Sequence, residues 1–248
     1  MILTEWTTFN IIHHVVLAAL VITVGPVVYF GQSNSNYNKP RAGNGLPARL
    51  GMFILYATPL LALFLSAKDY LPSASAIQWI VFAAVFVHFS KRTLESLFLH
   101  KYSRATSLVN TLVIGFFYSQ AAFTVGWLNR NPVPAVDPLF IVGIILFLTG
   151  ISGNYYYHKL LAGLRKESSA GYFIPKGGLF RYVVCPHYLF EIVGWAGIAL
   201  LSRHSTTWLN LLAMTSFLVG QGLRALSWYR ATFKDFPKDK KAILPFIL

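Results

Sequence analysis

Charged residues are scarce in this chain, and acidic ones are scarcer still. Only 12% of the 248 residues are charged, against roughly 25% in a typical soluble domain, and only eight are Asp or Glu. Hydrophobic residues make up 55%, so the composition excludes an ordinary soluble domain and predicts a protein solvated by lipid. The single cysteine, Cys185, excludes a disulfide framework and a cysteine-based zinc site, since neither can be built from one sulfur atom.

Basic residues are missing from the first ten positions, MILTEWTTFN. A secretory signal begins with a basic region, so we expect the first apolar run to remain as a membrane helix. The net charge of +13 is high enough to suggest nucleic-acid binding, but the basic residues lie between apolar runs and not on one soluble surface. They favour an anionic cofactor or the anionic face of a bilayer, and we expect no nucleic-acid partner.

Seven apolar segments approach or exceed the roughly 20 residues that cross a bilayer as a helix. Lys and Arg concentrate on the cytoplasmic side of membrane proteins, and of the 21 only Lys68, Arg130 and Arg203 fall in the loops of the opposite side. The sequence therefore predicts an all-α fold, a single domain over 1–248 with seven transmembrane helices. The C-terminus should be cytoplasmic. The membrane should be the endoplasmic reticulum in a eukaryote or the inner membrane in a bacterium. The predicted spans lie at 9–30, 49–67, 76–97, 106–128, 137–160, 182–202 and 206–229.

Two acidic residues, Glu95 and Glu191, fall inside predicted spans. A carboxylate at membrane depth is costly unless it is paired or faces an aqueous cavity, so each is a candidate site residue. His88, Lys91, Arg92 and Glu95 follow helical spacing and share one face. One interpretation is an ion pair of Glu95 with Lys91 or Arg92 near the headgroups. The other is a catalytic acid or hydrogen-bond donor to substrate.

A second polar stripe ends the fifth predicted span. Asn154 and His158 are one helical turn apart, and Arg165 follows on the same general face if the helix continues. Tyr155–Tyr157 are typical of anchors at the membrane–water boundary. Such anchoring explains the tyrosines better than it explains an Asn–His–Arg stripe.

The segment ESSAGYFIPKGGLF predicts a loop, because it is rich in Ser, Gly and Pro. Its glycine pair between Lys176 and Arg181 suits either a generic turn or a phosphate contact through backbone N–H groups. Pro186 then favours a new helix start, with His187 and Glu191 on one face. We expect no metal there, since no H-E-x-x-H motif is present. Two interpretations of His187 and Glu191 remain open. They bind a ligand through hydrogen bonds, or they are core polar groups whose hydrogen bonds are made within the protein.

These C-terminal motifs resemble those of the steroid 5α-reductase family: N-x₉-L-R-K, then G-Y-x-I-P-x-G-G-L-F-x-Y-V, then H-Y-L-x-E, then a W-Y-x₃-F-x-D-F-P ending. The resemblance implies a seven-helix membrane enzyme that uses NADPH to reduce a carbon–carbon double bond conjugated to a carbonyl. His158 stands where the steroid enzymes have Asp, and Gln221 where they have Arg, with Arg224 one turn away as a substitute. The implied cofactor-binding residues are Asn154, His158, Arg165, Tyr172, His187, Glu191, Arg224 and Tyr229.

The N-terminal half, 1–130, is expected to supply the substrate-side helices, and 150–248 the NADPH-binding half. PARLGMFILYATP resembles a segment of the steroid enzymes whose catalytic Gln–Glu pair would fall on Leu55 and Tyr56. HFSKRTLESLFLHKYS is similar to a segment of the trans-2-enoyl-CoA reductases, which implies a catalytic role for Glu95 and an essential tyrosine at Tyr229. The candidate catalytic residues are therefore Glu95, Tyr56 and Tyr229.

Other function classes remain open from the sequence. A trans-2-enoyl-CoA reductase of fatty-acid elongation is the nearest alternative. CPHYLFE is also similar to isoprenylcysteine-type methyltransferases, which would bind S-adenosylmethionine. A non-catalytic lipid-binding membrane protein is the third choice. In the reductase interpretation the partners are membrane lipids and a lipid substrate: a steroid, a polyprenal or an enoyl thioester.

Overall fold

A computed structural model of the chain describes residues 1–31, 45–102, 105–164 and 174–248. These residues form an all-α fold, as predicted, with isolated backbone bridges and no β-sheet in the described ranges. A π-helical turn, Glu95–Leu99, follows the third helix, and a 3₁₀ turn, Gly178–Arg181, precedes the sixth. The long helices are α1 (Thr8–Phe30), α2 (Ala48–Ala67), α3 (Ala76–Leu94), α4 (Leu108–Leu128), α5 (Pro138–Leu164), α6 (Pro186–Ser202) and α7 (Ser205–Thr232).

The helices coincide with the seven predicted segments, but their lengths and compositions differ. Four of those in the described ranges are long and apolar enough to cross a membrane: α1, α2, α4 and α5. By contrast, α6 has only 17 residues, and α3 and α7 carry basic residues such as Arg92 and Arg224. Large apolar side chains of α1 face outward, including Phe9 and Ile22, each 75% exposed. The protein is therefore an integral membrane protein with four clear candidate spans.

The chain forms two compact units. The first comprises Met1–Leu3, Pro40–Phe147 and Ala196–Trp208, and in it α2 packs against α3 and α4. Leu63, Val85 and Val125 are fully buried there. A capping box starts α3, because the Ser75 side chain accepts from the Gln78 backbone and the Gln78 side chain accepts from the Ser75 backbone.

One end of this first unit is closed by polar contacts around the α6–α7 turn. Ile2 pairs with this turn through hydrogen bonds to Arg203 and Ser205 of 2.8 and 3.0 Å. Asp137 caps α5 by accepting from the Phe140 N–H at 2.9 Å, and it also accepts from the Arg203 guanidinium. These hydrogen bonds, first that of Arg203, hold the pKa of Asp137 below its ordinary value.

The second unit comprises Thr4–Lys39, Leu148–Trp195 and Leu209–Leu248. Within it α5 and α6 come into backbone contact at Gly150 and Gly194. A Cβ on Gly150 would lie 2.2 Å from the Gly194 nitrogen and 2.4 Å from its Cα, so only glycine allows this approach. The polar side chains one turn away on both helices are thereby brought within hydrogen-bonding reach.

The C-terminal segment of the second unit pairs with the loop before α6. Val184 N–H donates to the Lys241 carbonyl at 3.0 Å, and Cys185 N–H donates to the Ala242 carbonyl at 2.9 Å. Cys185 is buried in an apolar cluster with Phe236 and Ile243. The cluster fixes the position of the loop and of the start of α6.

Candidate active site

Buried polar side chains of the first unit meet where α3 ends. The α-helix gives way at Glu95 to a π-helical turn, in which His100 N–H donates to the Glu95 carbonyl at 2.9 Å. Single π-turns are frequent at functional sites. We call Tyr56, Lys91, Arg92 and Glu95 the arginine cluster.

The arginine cluster is organised around one guanidinium group. Arg92 Nη1 donates to Glu95 Oε2 at 2.7 Å, and Arg92 Nη2 donates to the Tyr56 hydroxyl oxygen at 2.5 Å. Lys91 Nζ lies 3.0 Å from Glu95 Oε1. Glu95 is only 3% exposed and Tyr56 6%. Glu95 thus pairs with both Lys91 and Arg92. From the sequence, one interpretation of Glu95 was an ion pair with either cation, and the other was a catalytic role.

The donor and acceptor roles in this cluster follow from the chemistry of its members. A guanidinium group can only donate, so Tyr56 must accept from Arg92 and keeps its own O–H as a donor. The Arg92 guanidinium also lies 4.5 Å from the centroid of the Tyr56 ring, and the Tyr118 ring stacks on Tyr56 at 5.9 Å. The phenol is therefore held on several sides and polarised by a cation.

A second set of predicted residues meets between α5 and α6 in the second unit. Asn154 Nδ2 donates to Glu191 Oε2 at 2.8 Å and to the His187 carbonyl at 2.9 Å. The rings of His158 and His187 have centroids 5.3 Å apart. Asn154 is 2% exposed and His158 5%. We call Asn154, His158, His187 and Glu191 the asparagine cluster.

The asparagine cluster offers groups that suit a polar ligand with hydroxyl or amide functions. Asn154 holds one carboxylate oxygen of Glu191, which fixes the direction of the other as an acceptor. Two imidazole groups can each donate and accept. The donor set therefore fits the ribose hydroxyls and the carboxamide of a nicotinamide nucleotide.

The remaining predicted cofactor residues have different surroundings. Arg165 and Tyr172 lie outside the described residues. Arg224 is half-buried on α7. Tyr229 is half-buried, and its ring stacks on Phe236 with centroids 5.5 Å apart. Through Phe236 this ring packs against the apolar cluster that anchors the C-terminal segment.

Sequence reasoning missed the part played by Tyr157. Tyr155 and Tyr156 are 46% and 51% exposed, as expected of interfacial anchors, but Tyr157 is only 6% exposed. Its hydroxyl accepts from the Leu179 N–H at 2.9 Å, and its ring meets that of Phe180. The interfacial prediction is therefore wrong for Tyr157, which holds the segment 176–181 around Gly177 and Gly178, here called the glycine loop. Its spacing of three residues from Asn154 is the signal that could have revealed an inward position.

Comparison with known proteins decides the family. The sequence profile of the family described as 3-oxo-5-alpha-steroid 4-dehydrogenase matches residues 104–248, more than half of the chain. The chain belongs to the steroid 5α-reductase family. The resemblance seen in the C-terminal motifs is thus confirmed, and the protein is a reductase.

Individual relatives agree with this membership. The chain is 33% identical to human 3-oxo-5-alpha-steroid 4-dehydrogenase 1 over 244 residues, which cover 93% of this chain and 94% of the human one. It is 38% identical to the steroid 5-alpha-reductase DET2 of Gossypium hirsutum over 44% of this chain and 42% of the relative. It is also 31% identical to a very-long-chain enoyl-CoA reductase of Dictyostelium discoideum, over 70% of this chain and 59% of the relative.

The two clusters differ in their relation to the family profile. The asparagine cluster lies inside the stretch that the steroid 5α-reductase profile matches, whereas Tyr56 and the rest of the arginine cluster precede it. The arginine cluster therefore lies outside the stretch of the chain that the family profile describes.

Proposed function

We propose that this protein uses NADPH to reduce a carbon–carbon double bond conjugated to a carbonyl group in a lipid. The observation that carries the proposal is the asparagine cluster, in which Asn154 and His158 are buried, within a chain of the steroid 5α-reductase family. Asn154 and Glu191 supply a fixed amide and carboxylate, which suit the hydroxyl and carboxamide groups of the nucleotide. NADPH, when bound, would supply the hydride that is added to the carbon β to the carbonyl, and a proton from solvent would then be added to the α carbon.

The arginine cluster is proposed to stabilise the charge that develops on the carbonyl oxygen during this reaction. Tyr56 donates its O–H to that oxygen, and Arg92 strengthens the donor by donating to the phenol oxygen. One such donor is worth roughly 3–4 kcal/mol in the transition state. Glu95 positions Arg92 through the 2.7 Å ion pair. A direct acid role for Glu95 requires its protonated form, so Tyr56 is the preferred donor.

The proposed substrate is a 3-oxo-Δ4 steroid, since the similar proteins from cattle, human and Gossypium hirsutum are named for steroid reduction. A trans-2-enoyl-CoA is the second candidate. It is supported by the similarity to the very-long-chain enoyl-CoA reductase and by the segment around Glu95.

The proposed topology has seven membrane crossings, with the C-terminus in the cytoplasm. The distribution of basic residues between the helices supports it. The membrane would be the endoplasmic reticulum in a eukaryote and the inner membrane in a bacterium. A cysteine is introduced at the C-terminus and is then labelled with a membrane-impermeant thiol reagent. Labelling from the cytoplasmic side tests this orientation.

NADPH consumption by the purified protein in nanodiscs tests the reaction. The substrates are a 3-oxo-Δ4 steroid, a polyprenal and a trans-2-enoyl-CoA, and mass spectrometry should show a product with two more hydrogen atoms. We expect oxidation of NADPH with the steroid. The absence of oxidation with all three, together with binding of S-adenosylmethionine, would overturn the proposal.

A further inference from the structure

A basic pocket lies in the second unit, between the glycine loop and the C-terminal segment. Its volume is about 720 Å³. Lys176, Arg181 and Lys240 line it together with Asp235, the one carboxylate among the described residues of its lining. The asparagine cluster is not part of its lining. Positive charge therefore exceeds negative charge in an open cavity, an arrangement that concentrates anions.

The wall formed by the glycine loop is held in place before any ligand arrives. Gly177 has φ +92° and Gly178 φ +49°, a conformation that side-chain-bearing residues rarely adopt. Phe180 N–H donates to the Gly177 carbonyl at 3.1 Å, and Tyr157 accepts from Leu179 on the far side. Apart from its chain neighbours, no atom of the described residues lies within 4 Å of the place where a Cβ of Gly177 would be, so this backbone is open to a ligand.

The opposite wall carries a buried lysine. Lys240 is 7% exposed. The described contacts of its side chain are a cation–π contact, with the ammonium nitrogen 5.6 Å from the centroid of the Phe236 ring, and the electrostatic influence of Asp239 and Lys176. Burial, and then the charge of Lys176, lowers the pKa of Lys240, while Asp239 opposes this shift. Among the described residues no carboxylate forms an ion pair with its ammonium group. A buried cation of this kind is stabilised by an anion.

We propose that this pocket binds a phosphate group of a ligand, with Lys240, Lys176 and Arg181 as its cationic contacts. A phosphate presents several acceptor oxygens, which match the forked donors of Arg181 and the two ammonium groups. Tyr182 and Pro237 add apolar surface beside the cations, so the rest of the ligand can be partly apolar. The phosphate can belong to a soluble coenzyme or to a lipid headgroup, because both carry the same chemistry.

The first experiment measures binding of inorganic pyrophosphate by calorimetry to the full-length protein in neutral detergent, without any turnover. We expect saturable binding that Lys240→Gln weakens about tenfold, the effect of losing one hydrogen bond to a charged group. Arg181→Gln should act in the same direction. Lys238→Gln is the matched control, because Lys238 is exposed in the same segment and does not line the pocket.

The outcomes distinguish specific binding of pyrophosphate in this pocket from non-specific electrostatic binding to a basic protein. Failure of the wild type to bind pyrophosphate would overturn the proposal, and so would an equal loss of affinity in Lys238→Gln. If Lys240→Gln does not fold, as judged by its thermal transition, Arg181→Gln on the exposed side of the pocket carries the test. Because no reduction is measured, failure here leaves the proposed reductase activity standing.

Competition experiments identify the source of the phosphate. Displacement of pyrophosphate by coenzyme A assigns the pocket to a thioester substrate, and displacement by NADP⁺ assigns it to the reductase cofactor. Displacement by nanodiscs containing phosphatidic acid, but not by phosphatidylcholine alone, assigns it to a lipid headgroup. Each result supports a phosphate site, and the absence of displacement by all three would contradict it.

Discussion

Asn154 and Glu191 lie one turn from the glycine contact between α5 and α6 and are joined by a hydrogen bond of 2.8 Å. The same amide group also donates to the His187 carbonyl, so one side chain orients the carboxylate and ties two helices together. We therefore expect cofactor binding to depend on Asn154, because this side chain orients the Glu191 carboxylate.

Asn154→Ala should weaken NADPH binding about tenfold and lower the free energy of unfolding by about 1–3 kcal/mol, since Glu191 loses a buried donor. NADPH fluorescence titration and thermal unfolding measure the two effects. Asn131→Ala is the control, because Asn131 is exposed and its described contact is through the backbone. Unchanged NADPH affinity in Asn154→Ala would remove the asparagine cluster from the cofactor site.

Tyr56→Phe should lower kcat by about 10²–10³-fold and leave NADPH binding unchanged, because the ring is kept while the donor to the carbonyl oxygen is lost. Steady-state rates and NADPH titration separate the two quantities. Tyr155→Phe, on the exposed face of α5, should behave like the wild type. A Tyr56→Phe enzyme with normal kcat would exclude the phenol as the donor.

Glu95→Gln should retain NADPH binding but lose most turnover, since a neutral amide holds Arg92 and Lys91 less firmly than the carboxylate does. Removal of one partner from a buried pair costs about 3–5 kcal/mol, so the folded fraction must be measured by size-exclusion chromatography alongside the rate. Glu95→Asp keeps the negative charge, and its turnover should lie between that of the wild type and that of Glu95→Gln. Full turnover in Glu95→Gln would show that the acid is dispensable.

Gly150→Ala should lower the free energy of unfolding by about 1–3 kcal/mol, the usual cost of overpacking, because its Cβ would meet the Gly194 backbone. Titration with dodecyl sulfate measures this change. Gly163 lies on the same helix, and outside that helix no atom of the described residues is within 4 Å of its Cβ position. Gly163→Ala should be neutral or stabilising by up to about 1 kcal/mol. Equal effects at both positions would contradict the close helix contact.

Acidification should destabilise the protein through His204, which lies in the α6–α7 turn and is 2% exposed. Burial lowers its pKa from the ordinary 6.5, against the opposing hydrogen bonds to the Asn131 and Leu128 carbonyls. The unfolded chain therefore takes up this proton first as pH falls. The stabilisation is complete above pH 6.5 and is lost as pH falls through the folded-state pKa.

Thermal unfolding at about pH 7.5 and about pH 5 measures this effect. We expect the fall in Tm to be smaller in His204→Gln than in the wild type, because glutamine binds no proton in this range. The same fall in both proteins would assign the acid sensitivity to other groups.

Apolar patterning and helix signals predicted the helices well, because both are local properties of the chain. Pro186 does start α6, and every predicted span overlaps a long helix. The sequence predicted that the third span ends at 97, whereas α3 ends at Leu94 and a π-helical turn follows. This turn begins at Glu95, whose ion pairs a local pattern does not specify. The family, too, could be recognised from motifs that are contiguous in sequence.

The sequence by itself determined the all-α fold, the lipid environment, the family and the inward position of Asn154 and Glu191, because these follow from composition and from spacing along one helix. Only the tertiary structure decided that Arg92 joins Glu95 to Tyr56, 36 residues away, that Tyr157 supports the glycine loop, and that Lys240 lines a basic pocket. The physical reason is that hydrogen bonds and ion pairs of buried groups depend on which helices and loops are packed together, and local patterns do not specify the partner.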